Sequence, residues 1–205
     1  ILARLTDADL EAISYYGFIE GQVAGIEAII SRTGYTGESG FELYIAPEGA
    51  EKLWGALLEA GAPEGIQPVG LGARDTLRLE KKFALYGHEL SSQITPLEGG
   101  IGWITKLDKP SFIGKEPLSR MKAAGVPRRL VGLRMTGPGV PRENYPVFVG
   151  DEEVGIVTSG TMSPMLRVGI ALALIATGHH TIGTEVSIGI RNRKVAAEVV
   201  KTPFV

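Results

Sequence analysis

Apolar and polar positions follow two different rhythms along this chain. In the first stretch, "LTDADLEAIS" places Leu5, Leu10 and Ile13 near helical spacing behind Thr6 or Asp7 as an N-cap, which predicts a short helix. The segment "YYGFIEGQVAGIEAIISRTGY" reads as strands around a glycine turn, ending in the apolar run from Ile26 to Ile30. In "GFELYIA" the alternation predicts a strand with Phe41 and Leu43 on one face and Glu42 and Tyr44 on the other. A helix opening at Pro47 and Glu48 follows, with Leu53, Trp54, Leu57 and Leu58 as its apolar face and Gly61 and Pro63 as its stop. A second helix is predicted in "GLGARDTLRLEKK", ending before "FALYGHEL".

Near residue 120 the rhythm changes. "SRMKAAGVPRR" is basic and turn-rich and reads as a linker. Beyond it, "LVGLRM", "YPVFV", "EEVGIVTSG", "RVGIALALI", "TEVSIGI" and "KVAAEVV" are short apolar runs divided by Gly and Pro. That spacing predicts a small antiparallel barrel or sandwich. The expected fold class is α+β: a mixed α/β region over residues 1–120, then a β-barrel over 121–205, with the boundary inside 115–127.

Composition narrows the function. The chain has 205 residues, enough for a sizeable core, and 21 Lys and Arg against 23 Asp and Glu give a net charge of −2. That balance argues against a general nucleic-acid binder. There is no cysteine, so disulfides, thiolate metal sites and cysteine nucleophiles are excluded. Three histidines, His88, His179 and His180, lie at no metal-ligand spacing, and no metal site is expected; "GHHT" reads as a solvated turn. The most apolar run, "VGIALALIA", is too short to span a bilayer, so no membrane association is expected. The N-terminus has neither a signal-peptide layout nor an initiator Met, and a fragment or processed product is the expectation.

Candidate chemistry concentrates in "SRTGYTGESGFELY". Glycines flanking Tyr35 permit sharp turns that expose its ring, and Glu42 lies on the strand face opposite the core pair. Arg74 stands near the start of the second helix, where the helix dipole disfavours a cation, so it calls for an acidic partner or an anionic ligand. One turn on, Arg78 could be neutralised by Asp75 or Glu80 in an ordinary surface ion-pair ladder. An exposed strand carboxylate is the plain alternative for Glu42. Together, an aromatic ring, a carboxylate and an arginine suit a flat heterocycle with adjacent N–H donors and an anionic tail. Pterins fit, and so do guanine derivatives.

The ordered segments "SRTGYTGESGFELY", "GLGARDTLRLE", "LYGHEL…TPLEGGIGW", "FIGKEPL" and "VTSGTMSP" resemble the signatures of the glycine-cleavage T-protein family, the tetrahydrofolate-dependent aminomethyltransferases. The resemblance runs from about residue 5 to the end of the chain. It implies three domains around a central folate hole, the last a small β-barrel. It implies Tyr35 and Glu42 as folate-pocket residues, with Glu42 on the pterin edge, and Arg74 as a further ligand-binding position. Tyr15 or Tyr16 and Trp103 are weaker carry-overs, and Trp103 could equally be core. Ser39 and Phe83 stand where the family usually has Asp and Tyr, and neither is a main ligand position.

The implied reaction moves the methylene carbon of an aminomethyl group on the lipoyl arm of the H-protein to tetrahydrofolate, with release of ammonia. The implied partner is thus the lipoylated H-protein. The basic residues Lys115, Arg120, Lys122, Arg128 and Arg129 either dock that carrier or belong to a solvated linker. Family members are longer at the N-terminus, and the aspartate they place near the reacting folate nitrogens belongs to that portion. The catalytic residue is therefore unknown within this chain. Asp75 sits in the wrong motif, and the expectation is half a pocket, inactive or weakly binding alone. Two alternatives remain within reach of the resemblance: the folate-binding module of a sarcosine- or dimethylglycine-oxidising enzyme, and a non-catalytic folate-binding protein of iron–sulfur assembly. The expected location is cytoplasmic for a bacterial or archaeal source and mitochondrial for a eukaryotic one.

Overall fold

In the computed structural model, which describes residues Ile1–Val205, strand pairing sets the architecture of each of two compact units, Ile1–Arg74 and Asp75–Val205. In the first, β1 (Phe18–Val23), β2 (Ile26–Ser31) and β3 (Glu42–Ile45) form an antiparallel sheet in sequence order. Ala24 and Gly25 join β1 to β2 with φ of 52° and 72°, the doubly positive φ of a two-residue hairpin turn. One face of the sheet buries Val23, Ala28 and Ile30 against Leu53 of α1 (Ala50–Gly61), with Phe41, Leu43 and Leu57 packed around them. Trp54 is not part of the apolar face expected of α1: it is 54% exposed, one position and about a quarter turn past Leu53.

The helix expected in "LTDADLEAIS" is absent. A single 3-10 turn, Leu2–Arg4, precedes a series of bends. The Asp9 carboxylate accepts from the amides of Glu11 (3.1 Å) and Ala12 (3.2 Å), and Thr6 Oγ1 accepts from the amide of Ala8 (3.2 Å). These short polar side chains satisfy the amides locally and so compete with the helical ladder. Leu5, Leu10 and Ile13 still reach the core, through bends and not along a helix face.

Helix α2 (Leu71–Glu80) begins in the first unit and ends buried in the second. The first half of the basic stretch expected as a turn-rich linker is helical, as the end of α3 (Lys115–Ala124), which stops at Gly125 with φ 93°. Its Pro117 lies in the first turn, where the missing N–H has no intrahelical partner to lose.

The six apolar runs of the tail become six strands: β4 (Arg128–Met135), β5 (Pro146–Val149), β6 (Glu152–Met162), β7 (Gly169–Ala176), β8 (Glu185–Ile190) and β9 (Arg193–Val200). They close an antiparallel barrel in the order β4-β7-β6-β5-β8-β9. β7 is apolar throughout because both its faces are covered. Ala171, Ala173 and Ile175 fill the interior with Leu133, Val147 and Ile188. Ile170, Leu172 and Leu174 lie outside, under Leu79 of α2, Leu130 and Phe204. Small alanines suit the narrow inside of a six-stranded barrel. Gly155 on β6 is equally constrained, since a Cβ there would meet the Leu174 carbonyl oxygen at 2.2 Å.

A polar cluster lies beside this apolar shell. Arg78 is 1% exposed and Glu89 0%. Arg78 donates to Glu89 Oε2 (2.9 Å), Asp75 Oδ1 (2.8 and 2.6 Å), Ser159 Oγ (2.8 Å) and the Phe83 carbonyl (3.2 Å). Glu89 also accepts from Thr158 Oγ1 (2.6 Å) and the Leu85 amide (2.9 Å). Thr158 is the extra residue of a bulge, because Val157 pairs with Ala173 while Ser159 pairs with the adjacent Leu172. The bulge lets two consecutive residues of β6 serve the same cluster. The surface ladder expected for Arg78 is thus replaced by a buried network, with Asp75 as its half-exposed member.

Two outcomes test these packing arguments. Glu89→Ala leaves a buried guanidinium without its main counter-charge and should cost about 3–5 kcal/mol in urea unfolding; a loss below about 1 kcal/mol contradicts the network's role. Glu98 is buried and accepts from Arg128 Nε (2.8 Å), the Thr95 amide (3.0 Å) and Thr95 Oγ1 (2.9 Å). Burial raises its carboxyl pKa, but the Thr95 amide and the Arg128 guanidinium outweigh that and hold it below the ordinary value. A depressed folded value gives stability that is complete above the unfolded pKa of about 4.3 and is lost as pH falls through the folded one. Glu98→Gln should therefore remove part of the acid slope of the unfolding free energy, and an unchanged slope between wild type and variant refutes this.

Candidate functional site

The end of the first sheet collects most of the residues singled out in the sequence. β2 ends at Ser31, opposite Glu42 of β3 on one side and Phe18 of β1 on the other. The chain then bends through Arg32 and Thr33 before Tyr35. Arg32 fixes that bend: its guanidinium donates to the Ile13 carbonyl (3.0 Å), its amide to the Gly17 carbonyl (2.9 Å), and its carbonyl accepts from the Tyr16 amide (3.1 Å). Arg32, the arginine of "SRTGYTGESGFELY", is thus a backbone clamp that brings "YYG" beside "RTGY".

Glu42 is half-buried. Its Oε2 accepts from Thr33 Oγ1 in a short bond and lies 3.4 Å from the Tyr44 hydroxyl. Thr33 Oγ1 is also 3.0 Å from Ser31 Oγ. Both protein donors thus gather on Oε2, leaving Oε1 to meet a donor from outside. Ser31 and Thr33 were missed as site residues. The legible signal was their spacing, two hydroxyl residues two apart and running into a strand pair with a carboxylate.

Tyr35 is half-buried, and the Arg74 guanidinium lies 4.6 Å from its ring centroid. Arg74 was expected to need an acidic partner or an anionic ligand; the structure sets it over an aromatic face, which eases the positive charge without neutralising it. Its side chain is exposed, so the fork-shaped donor edge stays available. Tyr15 and Tyr16 are 67% and 76% exposed and pack edge-on at 4.6 Å between centroids. The hydrogen bond with Tyr16 is the main cause of a Tyr15 phenol pKa above its ordinary value. Tyr16 holds φ at 64°, an uncommon conformation for an aromatic residue.

Trp103 belongs to the second unit, in a turn after Ile101, and is 75% exposed, which rules out the core reading of this residue. Of the basic residues weighed as a docking patch, Lys115 donates to the Pro110 carbonyl (3.3 Å), Arg120 pairs with Glu116 (2.9 Å), and Arg128 serves Glu98. His180 Nδ1 accepts from the Gly178 amide within its turn (3.2 Å). No three His, Cys, Asp or Glu side chains converge as a metal site, and no helix is long and apolar enough to cross a membrane.

The first unit therefore offers a carboxylate oxygen, an arginine-capped tyrosine ring and further exposed phenols. This equips it to hold a planar molecule with an N–H donor edge and an anionic group. A double-mutant cycle of Tyr35→Leu with Arg74→Met should show a coupling of about 0.5–1 kcal/mol in urea unfolding, the worth of an exposed cation–π pair; additive effects contradict the stacking.

Comparison with known proteins bears on the same residues. The model of the GCVT N-terminal domain matches residues 1–109, and that of the glycine cleavage T-protein C-terminal barrel domain matches residues 128–205. A protein of Listeria monocytogenes called aminomethyltransferase is 56% identical over 206 residues, covering all of this chain and 56% of its own length. One of the same name from Halalkalibacterium halodurans is 50% identical over 205 residues, with the same coverage. The crystal structure of glycine cleavage system aminomethyltransferase T from Bartonella henselae superposes with a TM-score of 0.86 at 30% identity, over 95% of this chain and 54% of that one. The chain spans about half the length of the curated relatives it matches.

Proposed function

The chain belongs to the glycine-cleavage T-protein family, and from that premise we propose that it holds the folate side of an aminomethyltransferase. The proposed reaction transfers the methylene carbon of a lipoyl-bound aminomethyl group to tetrahydrofolate, with release of ammonia. The proposed donor is the lipoylated H-protein, and the proposed location is the cytoplasm of a bacterium. Matches to proteins called aminomethyltransferase across all of this chain favour transfer over folate-dependent oxidation or iron–sulfur assembly.

The observation that carries the reading is the half-buried Glu42 with both protein donors on one oxygen. Its free oxygen can accept a hydrogen bond from the amino or ring N–H edge of a pterin, a charge-assisted contact. Thr33 sets the rotamer of that carboxylate. Tyr35 offers a face for the ring system, and Arg74 a fork for the glutamyl carboxylate. Tyr15 and Trp103 stay in the proposal as exposed aromatics, in separate units. Tetrahydrofolate, once bound, supplies the nucleophilic nitrogens. The residues of this chain bind and orient, so their contribution is positioning.

No catalytic aspartate is assigned in this chain. Asp75 is committed to Arg78 by two bonds, in keeping with a structural role.

Glu42→Gln keeps the shape and replaces one acceptor by a donor facing donors. It should weaken tetrahydrofolate binding by about 1–3 kcal/mol, roughly 5- to 150-fold, in calorimetric titration. Equal affinity of wild type and variant sinks the assignment of this carboxylate. Binding by neither protein sinks the proposal that this chain holds folate.

A further inference from the structure

One cavity lies in neither the sheet unit nor the buried network. It has a volume of about 680 Å³ and opens on the barrel, between the β4–β5 connection and the β8–β9 hairpin. Its lining includes Arg142, Arg191 and Arg193, with Asn192, and contains no Asp or Glu. Three cations thus share one concavity in a chain whose net charge is −2.

These arginines, like Arg129 and Arg167, have no carboxylate partner, whereas two other arginines of the barrel do. Arg128 has Glu98 and Arg134 has Glu198. Neighbouring cations and acids are also taken: Lys194 is held by Asp151 (2.8 Å) and the Phe148 ring (4.4 Å), and Glu143 faces His88 (3.4 Å). Arg142 reaches only the Gly160 carbonyl, at 3.4 Å, and neither Arg191 nor Arg193 is in an ion pair. Arg191 also occupies the hairpin turn at φ 54°, where glycine would sit without strain. Like charges gathered in a concave wall raise the local potential and attract anions. The floor is apolar, from Val140, Tyr145, Ile190 and Val195. A volume in this range is that of a small-molecule pocket, large for a bare phosphate and too concave for a flat protein surface.

We propose that this barrel cavity binds a small polyanion, one whose phosphate or carboxylate groups meet Arg142, Arg191 and Arg193 while its body rests on the apolar floor. Guanidinium forks match both anion types, so nucleoside phosphates and polycarboxylates share the chemistry. The proposal is independent of the folate reading and uses none of its residues.

Calorimetric titration of the 205-residue chain with ADP, with citrate and with uncharged adenosine tests it. At least one of the two anions should saturate at one site per chain, and its affinity should fall as salt is raised from about 50 to about 300 mM. Saturation by ADP alone assigns the site to nucleoside phosphates, by citrate alone to polycarboxylates, and by both to the shared anion chemistry. The double variant Arg142→Gln/Arg193→Gln should weaken the bound anion at least about tenfold. Arg191→Gly removes one charge while relaxing the turn, so its expected loss of roughly fivefold cannot be a folding defect. The proposal is overturned if neither anion saturates, if the double variant binds as wild type does, or if adenosine binds as well as ADP.

Discussion

The buried guanidinium of Arg78 is the constraint around which the second unit is arranged. A charge this far from water is tolerable only when its donors are met, and here Glu89, Asp75, Ser159 and the Phe83 carbonyl meet them. The four partners come from three parts of the unit: Asp75 from the same helix, Phe83 and Glu89 from the turns after it, and Ser159 from the bulged strand β6. Satisfying one side chain therefore fixes the end of α2, the "LYGHEL" turns and the register of β6 together. Apolar packing of Leu79 on Leu172 and Leu174 would hold the helix to the barrel without specifying its rotation. The hydrogen-bond geometry supplies that rotation.

In the first unit a smaller set of polar contacts plays the same part. Arg32 ties the "YYG" and "RTGY" segments by three bonds to or from backbone groups, and Thr33 and Ser31 order the Glu42 carboxylate. Groups that must be ready for a ligand are held from behind by groups that are not. The arginines sort the same way. Those that meet carboxylates or carbonyls, such as Arg78, Arg128 and Arg32, build the fold. Those left with a ring, with solvent or with one long carbonyl contact, Arg74 and the cavity trio, keep most of their donors for something else.

Much of the architecture was legible. The six tail strands follow from six apolar runs between turn residues, and β7 announced its two covered faces by having no polar position. The strand at Glu42 and both helices around it were equally clear. The failures share a cause. "LTDADLEAIS" has helical spacing, yet Asp9 and Thr6 bind nearby amides and win locally. Trp54 looked like core by hydrophobicity and lies outside it. Arg78 looked like surface by charge and is among the most buried side chains.

The sequence by itself determined the period of most elements, the antiparallel strand-rich character of the tail and the motif order that marks the family, because these depend on neighbours along the chain. Tertiary structure alone decided which charges are buried, which oxygen of Glu42 is left to accept, and that Arg142 meets Arg191 and Arg193 around one hollow. The free oxygen of Glu42 depends on how β3 and the bend after β2 place the nearby Tyr44 and Thr33. The burial of Arg78 and the arginine hollow depend on residues far apart in the chain reaching the same few ångströms, as Ser159 reaches Arg78 81 positions away. No local periodicity encodes such a meeting, since it is fixed by strand register and by one inserted residue at Thr158.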